Sequence, residues 1–416
     1  MEAFVARRMF DGKIQEYRLD VAILVENGFI LDIVRKKEVP AGCNVVDLGD
    51  LTITPGLIDC HVHLVWNGCH DPNFVMMHET PEKTAVRAAE HARVTLLHGI
   101  TTVRDCGGPH PVVLAVRDAI REHIILGSRV LAAGNPIVMT GGHVHNLGLE
   151  VDGADGARKG VRLMLKAGVD LIKVMATGGV YTEGEEPGSP QLTVAELSTA
   201  VEEAHKAGRK VAAHAEGLEG ILNALEAHVD SIEHGNLMTE EVAQRMAEQG
   251  TFIVPTMAPF YLMSYFGEEN QVPDYAIRKA KEVIQGSYNV IRWAKDFGVP
   301  IAAGTDDGSP LLPHGALVYE LELMVHAGLT PFEALRSATL DAARCCGLEA
   351  ITGTLEAGKI ADFIAVSGNP LEDITSFRQV DTVVVGGVIA KRHGAGMVSE
   401  NDISALKIFL NEERRS

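Results

Sequence analysis

Eight short apolar runs, separated by amphipathic stretches, predict an α/β chain built on a (β/α)8 TIM barrel. Two terminal blocks of strand-like alternation predict a small β-sandwich domain beside it, built from both chain ends. The apolar runs are residues 54–63, 99–106, 128–134, 169–177, 209–215, 229–235, 251–256 and 299–306. Near-continuous apolar strands read as parallel sheet, covered on the outside by helices. An open doubly wound sheet would place Gly-x-Gly-x-x-Gly after its first strand, and none stands there.

The elements follow in order. Short strands are expected at 21–25, 29–34 and 44–47, before the first barrel run. Helices are expected at 81–97, 157–167, 193–207, 218–227, 239–249 and 275–297. Thr193 with Glu196, and Thr239 with Glu240 and Glu241, supply starts, while Gly168 and Gly208 follow helix ends. Strands return at 362–366, 380–385 and 388–391, and 399–416 reads as a terminal helix. Neither end is long enough to form a β domain alone, so residues 1–54 and 360–416 are expected to combine, leaving 55–359 as the catalytic barrel.

Composition narrows the function. At 416 residues, 46% hydrophobic and 22% charged, the chain is long enough for one large barrel core. A net charge of −19 without a basic stripe argues against nucleic acid as a partner. The cysteines at 43, 60, 69, 106, 345 and 346 form no C-x-x-C and read as reduced thiols. No apolar run is long enough for a membrane span, and the first residues lack a signal pattern. The expectation is a cytoplasmic protein that does not engage membranes.

Chemistry concentrates where the runs end. His61 and His63 lie two apart on a strand and face one side, towards the C-terminal end of the barrel. His214, His234 and Asp306 close three further runs. Each alone is compatible with a satisfied core histidine or, for Asp306, a cap. Together they supply the nitrogen and carboxylate donors that suit Zn²⁺ with an open position for water. Lys173 sits within Val169-Asp-Leu-Ile-Lys-Val-Met-Ala-Thr-Gly-Gly179, where a charge is expensive unless paired or chemically changed.

On these residues the chain resembles the amidohydrolase superfamily. Pro55-Gly-Leu-Ile-Asp-Cys-His-Val-His63 is similar to its first-strand signature, and Gly353-Thr-Leu-Glu-Ala-Gly-Lys-Ile-Ala-Asp-Phe-Ile-Ala365 to its return into the β domain. The resemblance implies that Lys173 is carboxylated by CO₂ and bridges two Zn²⁺ per subunit, together with a hydroxide. His61, His63, Lys173 and Asp306 would hold the first ion; Lys173, His214 and His234 would hold the second. Asp306 would act as general base and then acid. Related enzymes often assemble, so a homo-oligomer is expected.

Gly141-Gly142-His143 is similar to a segment of the prolidase-like dipeptidase and carboxypeptidase branch, related to imidazolonepropionase, where the histidine donates to the substrate carbonyl. One departure stands out. Prolidase-like members carry a carboxylate-binding tyrosine two residues after the fifth-strand histidine, and this chain has Glu216. A carboxylate there would meet an amine or guanidinium, or else merely start the following helix. Trp66, His70, Tyr181, Phe260, Tyr261, Tyr265 and Phe266 are candidate cavity walls, and 181–191 has the breaker-rich composition of a lid. The reading is a binuclear zinc hydrolase of an amide bond, in a dipeptide or an N-acyl amino acid. An imidazolonepropionase-like cyclic amidohydrolase or a deaminase is the alternative. Lys173 disfavours both, and Gly217 stands where adenosine-type deaminases need a glutamate. A non-catalytic assembly protein on this fold would have lost ligands that here are all present.

Overall fold

A computed structural model of the chain describes residues 1–109 and 111–394; the terminal helix expected at 399–416 lies outside the described residues. Seven of the eight apolar runs contain parallel strands. Leu57–Val62, Ile100–Asp105 and Arg129–Ala132 form one sheet. Leu171–Met175, Lys210–Ala215, Ser231–His234 and Phe252–Val254 form a second, extended by the short pairs Ile137–Val138 and Leu149–Glu150. Helices intervene, among them Pro81–Leu97, Gly153–Ala167, Val194–Lys206, Leu218–Glu226, Glu240–Gln249 and Asp274–Phe297. Thr193 and Thr239 cap as expected, each accepting a backbone N–H three residues on.

The arrangement is TIM-barrel-like, but the described strands do not close into one eight-stranded sheet. The eighth run is not a strand. It touches each neighbour through single bridges, Ile301 to Ile253 and Asp307 to Val62. Backbone bonds also run from Ala302 to Ile253 (3.0 Å) and from Cys60 to Ala303 (2.9 Å). The chain then leaves the ladder. Thr305 donates its hydroxyl to Asp59 (2.7 Å), and Asp306 takes a left-handed φ of 63°. That conformation is uncommon for any residue but glycine and is held here by the surrounding bonds. On the far side, Asp170 N–H donates to the Ala132 carbonyl (2.9 Å) and Ala132 N–H to the Asp170 carboxylate (2.9 Å), joining the two sheets.

Both ends contribute to one further sheet. Its order is Val388–Lys391, Val380–Val385, Phe363–Val366, Thr52–Pro55, Glu2–Met9, Arg18–Glu26 and Phe29–Arg35, with Asn44–Asp47 also paired to Glu2–Met9. By strand pairing these eight strands form one connected sheet. Phe4 meets Phe363 edge to face at 4.9 Å in its core. Glu2–Met9 is the strand that alternation misses: Ala3 to Ala6 are all buried, so no polar face marks it. The first apolar run also proves to be two strands, Thr52–Pro55 in the end sheet and Leu57–Val62 in the barrel. No helix of the described residues is long and apolar enough to cross a membrane.

Gly56 makes that break. A Cβ on it would lie 2.3 Å from the Thr101 hydroxyl and 2.9 Å from the Thr101 Cβ. Gly56→Ala should therefore destabilise the chain by about 1–3 kcal/mol, the usual scale of forced overpacking. Urea unfolding measures this, and an unchanged midpoint would refute the close approach.

Candidate metal centre

Five imidazoles, a lysine and two carboxyl groups line one cavity of about 450 Å³, counting its open mouth. His61 and His63 come from the end of Leu57–Val62 and just beyond it, and Asp306 from the interrupted eighth run. The Nε2 atoms of His61 and His63 lie 3.6 and 3.4 Å from Asp306 Oδ1. That oxygen is buried and has no hydrogen-bond donor. His61, His63 and Asp306 thus present three ligand atoms within 4.8 Å of one another.

The outer ring nitrogens are already committed. His61 Nδ1 pairs with Glu233 Oε2 (2.7 Å), His63 Nδ1 with the Gly107 carbonyl (2.7 Å), and His234 Nδ1 with the Thr256 hydroxyl (2.6 Å). Each leaves Nε2 for the cavity. His214 is the reverse: Nε2 pairs with the Gly178 carbonyl (3.0 Å), leaving Nδ1. Burial pushes His61, His214 and His234 well below the ordinary imidazole range, and His63 to about 3. All four are therefore neutral, the form in which imidazole binds metal. Burial raises Asp306 to about 7. Neutral donors facing an unpartnered oxygen fit a divalent cation.

Lys173 stands among them. It is 1% exposed, its Nζ is 3.5 Å from His61 Nε2, and among the described residues no carboxylate lies within ion-pair reach. The carboxylate partner that would suit an ordinary buried lysine is not formed.

The structure also supplies residues the sequence did not mark. Glu233 joins His61 to Arg104, accepting Nη2 of that guanidinium at 2.7 Å and the Ser231 hydroxyl at 2.6 Å. Consecutive strand residues normally point apart. Here both Glu233 and His234 approach His61, because His234 takes a φ of 72°. Nothing in Ile-Glu-His-Gly announces that turn.

Of the proposed wall residues, Trp66, His143, Tyr181, Glu216 and Phe260 line the cavity. Tyr261 does not. The helix Met257–Phe266 turns Pro259, Phe260 and Met263 to the cavity, and Tyr261 packs against Tyr265 and Tyr319 instead. Its assignment to substrate is corrected to a core position. His70, Tyr265 and Phe266 also stand outside the lining. Glu216 is 1% exposed and does not cap the helix it precedes: its carboxyl accepts from Val180 N–H (3.3 Å) and Asn236 Nδ2 (3.5 Å). Burial pushes it up to about 8. The expected lid is tethered, with Arg278 on Glu186 (2.7 Å) and Lys279 Nζ on the Thr182 carbonyl (2.6 Å).

The Amidohydrolase family model matches residues 52–390. An ochratoxinase from Aspergillus niger is 32% identical over 380 residues, covering 84% of this chain and 78% of its own. The crystal structure of a Xaa-Pro dipeptidase with methionine bound in its active site superposes with a TM-score of 0.86 at 34% identity, covering 93% of this chain and 99% of that one. An imidazolonepropionase from Pseudomonas fluorescens is 28% identical over 396 residues, covering 83% of this chain and 87% of its own.

Outer partners of ligating histidines tune metal affinity. Glu233→Gln should weaken metal binding about 10- to 100-fold, as read by competition with a chromophoric chelator. An unaltered affinity would show that His61 needs no anion behind it.

Proposed function

This chain belongs to the amidohydrolase family and is a hydrolase of amide bonds; on that premise we propose that it cleaves a dipeptide or an N-acyl amino acid with two bound Zn²⁺. The observation that carries the reading is the ring of neutral imidazoles and the unpartnered Asp306 oxygen around a buried, unpaired Lys173. His61, His63 and Asp306 would hold one ion, and His214 and His234 the other. Carboxylated Lys173 would be shared: its amine would add to CO₂ and lose a proton, giving an anion suited to a place between cations. Bound ions supply Lewis acidity, polarising the scissile carbonyl and acidifying water.

The chain's own groups do the rest. Asp306, raised by burial to about 7, is suited to take a proton from the attacking water at Oδ1 and to deliver it to the leaving nitrogen. His143, on the cavity wall, would donate to the carbonyl oxygen. Trp66, Phe260 and Met263 offer an apolar surface that excludes bulk water. Glu216, buried beside His214 (3.6 Å) and pushed by burial to about 8, would lose its proton as a cationic group of the substrate arrives and pair with it.

Screening dipeptide and N-acyl amino acid libraries with zinc-loaded enzyme, read by released amine, tests the reaction. Lys173→Ala should lose the second equivalent of metal and at least about 100-fold in turnover. Full metal content and activity in that variant would sink the binuclear reading. Glu216→Tyr should move preference from substrates with a cationic group towards those with a free carboxylate. An unchanged ranking would make Glu216 structural.

A further inference from the structure

His143 is held by a closed ring of hydrogen bonds that no ligand assignment requires. Its backbone N–H donates to Gln191 Oε1 (2.9 Å). Gln191 Nε2 donates to Glu185 Oε2 (2.5 Å). Glu185 Oε1 meets the His143 ring at Nδ1 (2.5 Å), closing the cycle, and also accepts Gly179 N–H (3.1 Å).

The direction of every bond follows from one end. A backbone N–H only donates, so Gln191 must turn its oxygen to His143 and its amide nitrogen to Glu185. A carboxylate only accepts, so the shorter link to Glu185 (2.5 Å) puts the proton on His143 Nδ1, and the Thr182 hydroxyl, 3.1 Å from the same nitrogen, is left to share that proton as a second acceptor. The ring is thereby fixed in orientation as well as place, with Nε2 its one uncommitted nitrogen. Packing agrees. The ring stacks on His214 at 4.2 Å, and a Cβ on Gly179 would lie 2.3 Å from His143 Cε1, so only glycine leaves room for it. Lys279, buried on Asp274–Phe297, holds the carbonyls of Gly179 (3.3 Å) and Thr182 (2.6 Å), anchoring the segment that carries Glu185.

We propose that Glu185 and Gln191 are positioning residues that clamp His143 with its Nδ1 proton on Glu185, so that Nε2 is the atom offered to the substrate. This rests on the reading that His143 faces the scissile carbonyl.

The ring of bonds makes a parity argument. Glu185→Gln sets two amide donors against each other, and Gln191→Glu sets two carboxylates against each other. The exchange Glu185→Gln with Gln191→Glu restores a donor and an acceptor at every link. Each single variant should lower kcat about 10- to 100-fold with KM within about twofold, at unchanged metal content, on the substrate that the amine-release panel cleaves best. The exchange should return kcat to within about fivefold of the parent, a coupling far from additive. In parallel, ¹⁵N imidazole shifts of histidine-labelled, zinc-loaded protein should show His143 protonated at Nδ1 in the parent and in the exchange, and altered in each single variant.

Single variants with parent-like kcat, or an exchange no better than its worse parent, would overturn the clamp. So would a parent His143 bare at Nδ1. His143→Ala separates the two readings. Parent-like turnover in that variant defeats the catalytic role of His143, while the ¹⁵N shifts still decide the clamp.

Discussion

Everything at the centre depends on the buried chain Arg104–Glu233–His61. Arg104 donates Nε to the Cys60 carbonyl (2.6 Å), Nη1 to the Ser231 hydroxyl (3.1 Å) and Nη2 to Glu233 (2.7 Å). One guanidinium thus ties three strands, Leu57–Val62, Ile100–Asp105 and Ser231–His234, beneath the ligands. A buried charge pair adds little net stability, but removing one partner costs about 3–5 kcal/mol. The chain therefore fixes geometry more than it stabilises the fold. Glu233 orients His61, burial and the nearby Lys173 and Arg104 keep that imidazole neutral, and Arg104 in turn fixes Glu233.

The same logic governs the neighbouring polar groups. Asp59 takes Thr305 and His61 N–H bonds, and Asp105 takes those of Leu64 and Gly107. Burial raises both carboxyls to about 7. Each binds the backbone beside a ligand, so the loops after the strands are held from below, while the cavity above is left to the substrate.

Much of this was legible because period and position coincide. The helices at Pro81–Leu97 and Asp274–Phe297 showed their apolar stripes, and ligand types closing apolar runs marked His61, His63, His214, His234 and Asp306. What was hidden has a common cause: it depends on backbone that departs from regular strand. Positive φ at His234 and Asp306 breaks alternation, so neither Glu233 as a neighbour of His61 nor the loss of the eighth strand could be read. Tyr261 was misplaced because a turn of helix, not a loop, follows the seventh strand, and one residue of rotation sends a ring from cavity to core. Glu185 and Gln191 lie in a segment whose composition spoke only of breakers, and their partners are distant in sequence.

The break at Gly56 reaches beyond geometry. The strand on its N-terminal side is secured by Phe363–Val366, from the other end of the chain, while the strand on its C-terminal side carries His61. Pairings of such separation form late, after the intervening loop has been closed. The strand that carries His61 finds its neighbour Ile100–Asp105 early in the chain, whereas the end sheet waits for the last strands. The candidate ligands run from His61 to Asp306, so the full set comes together only after most of the chain has been made.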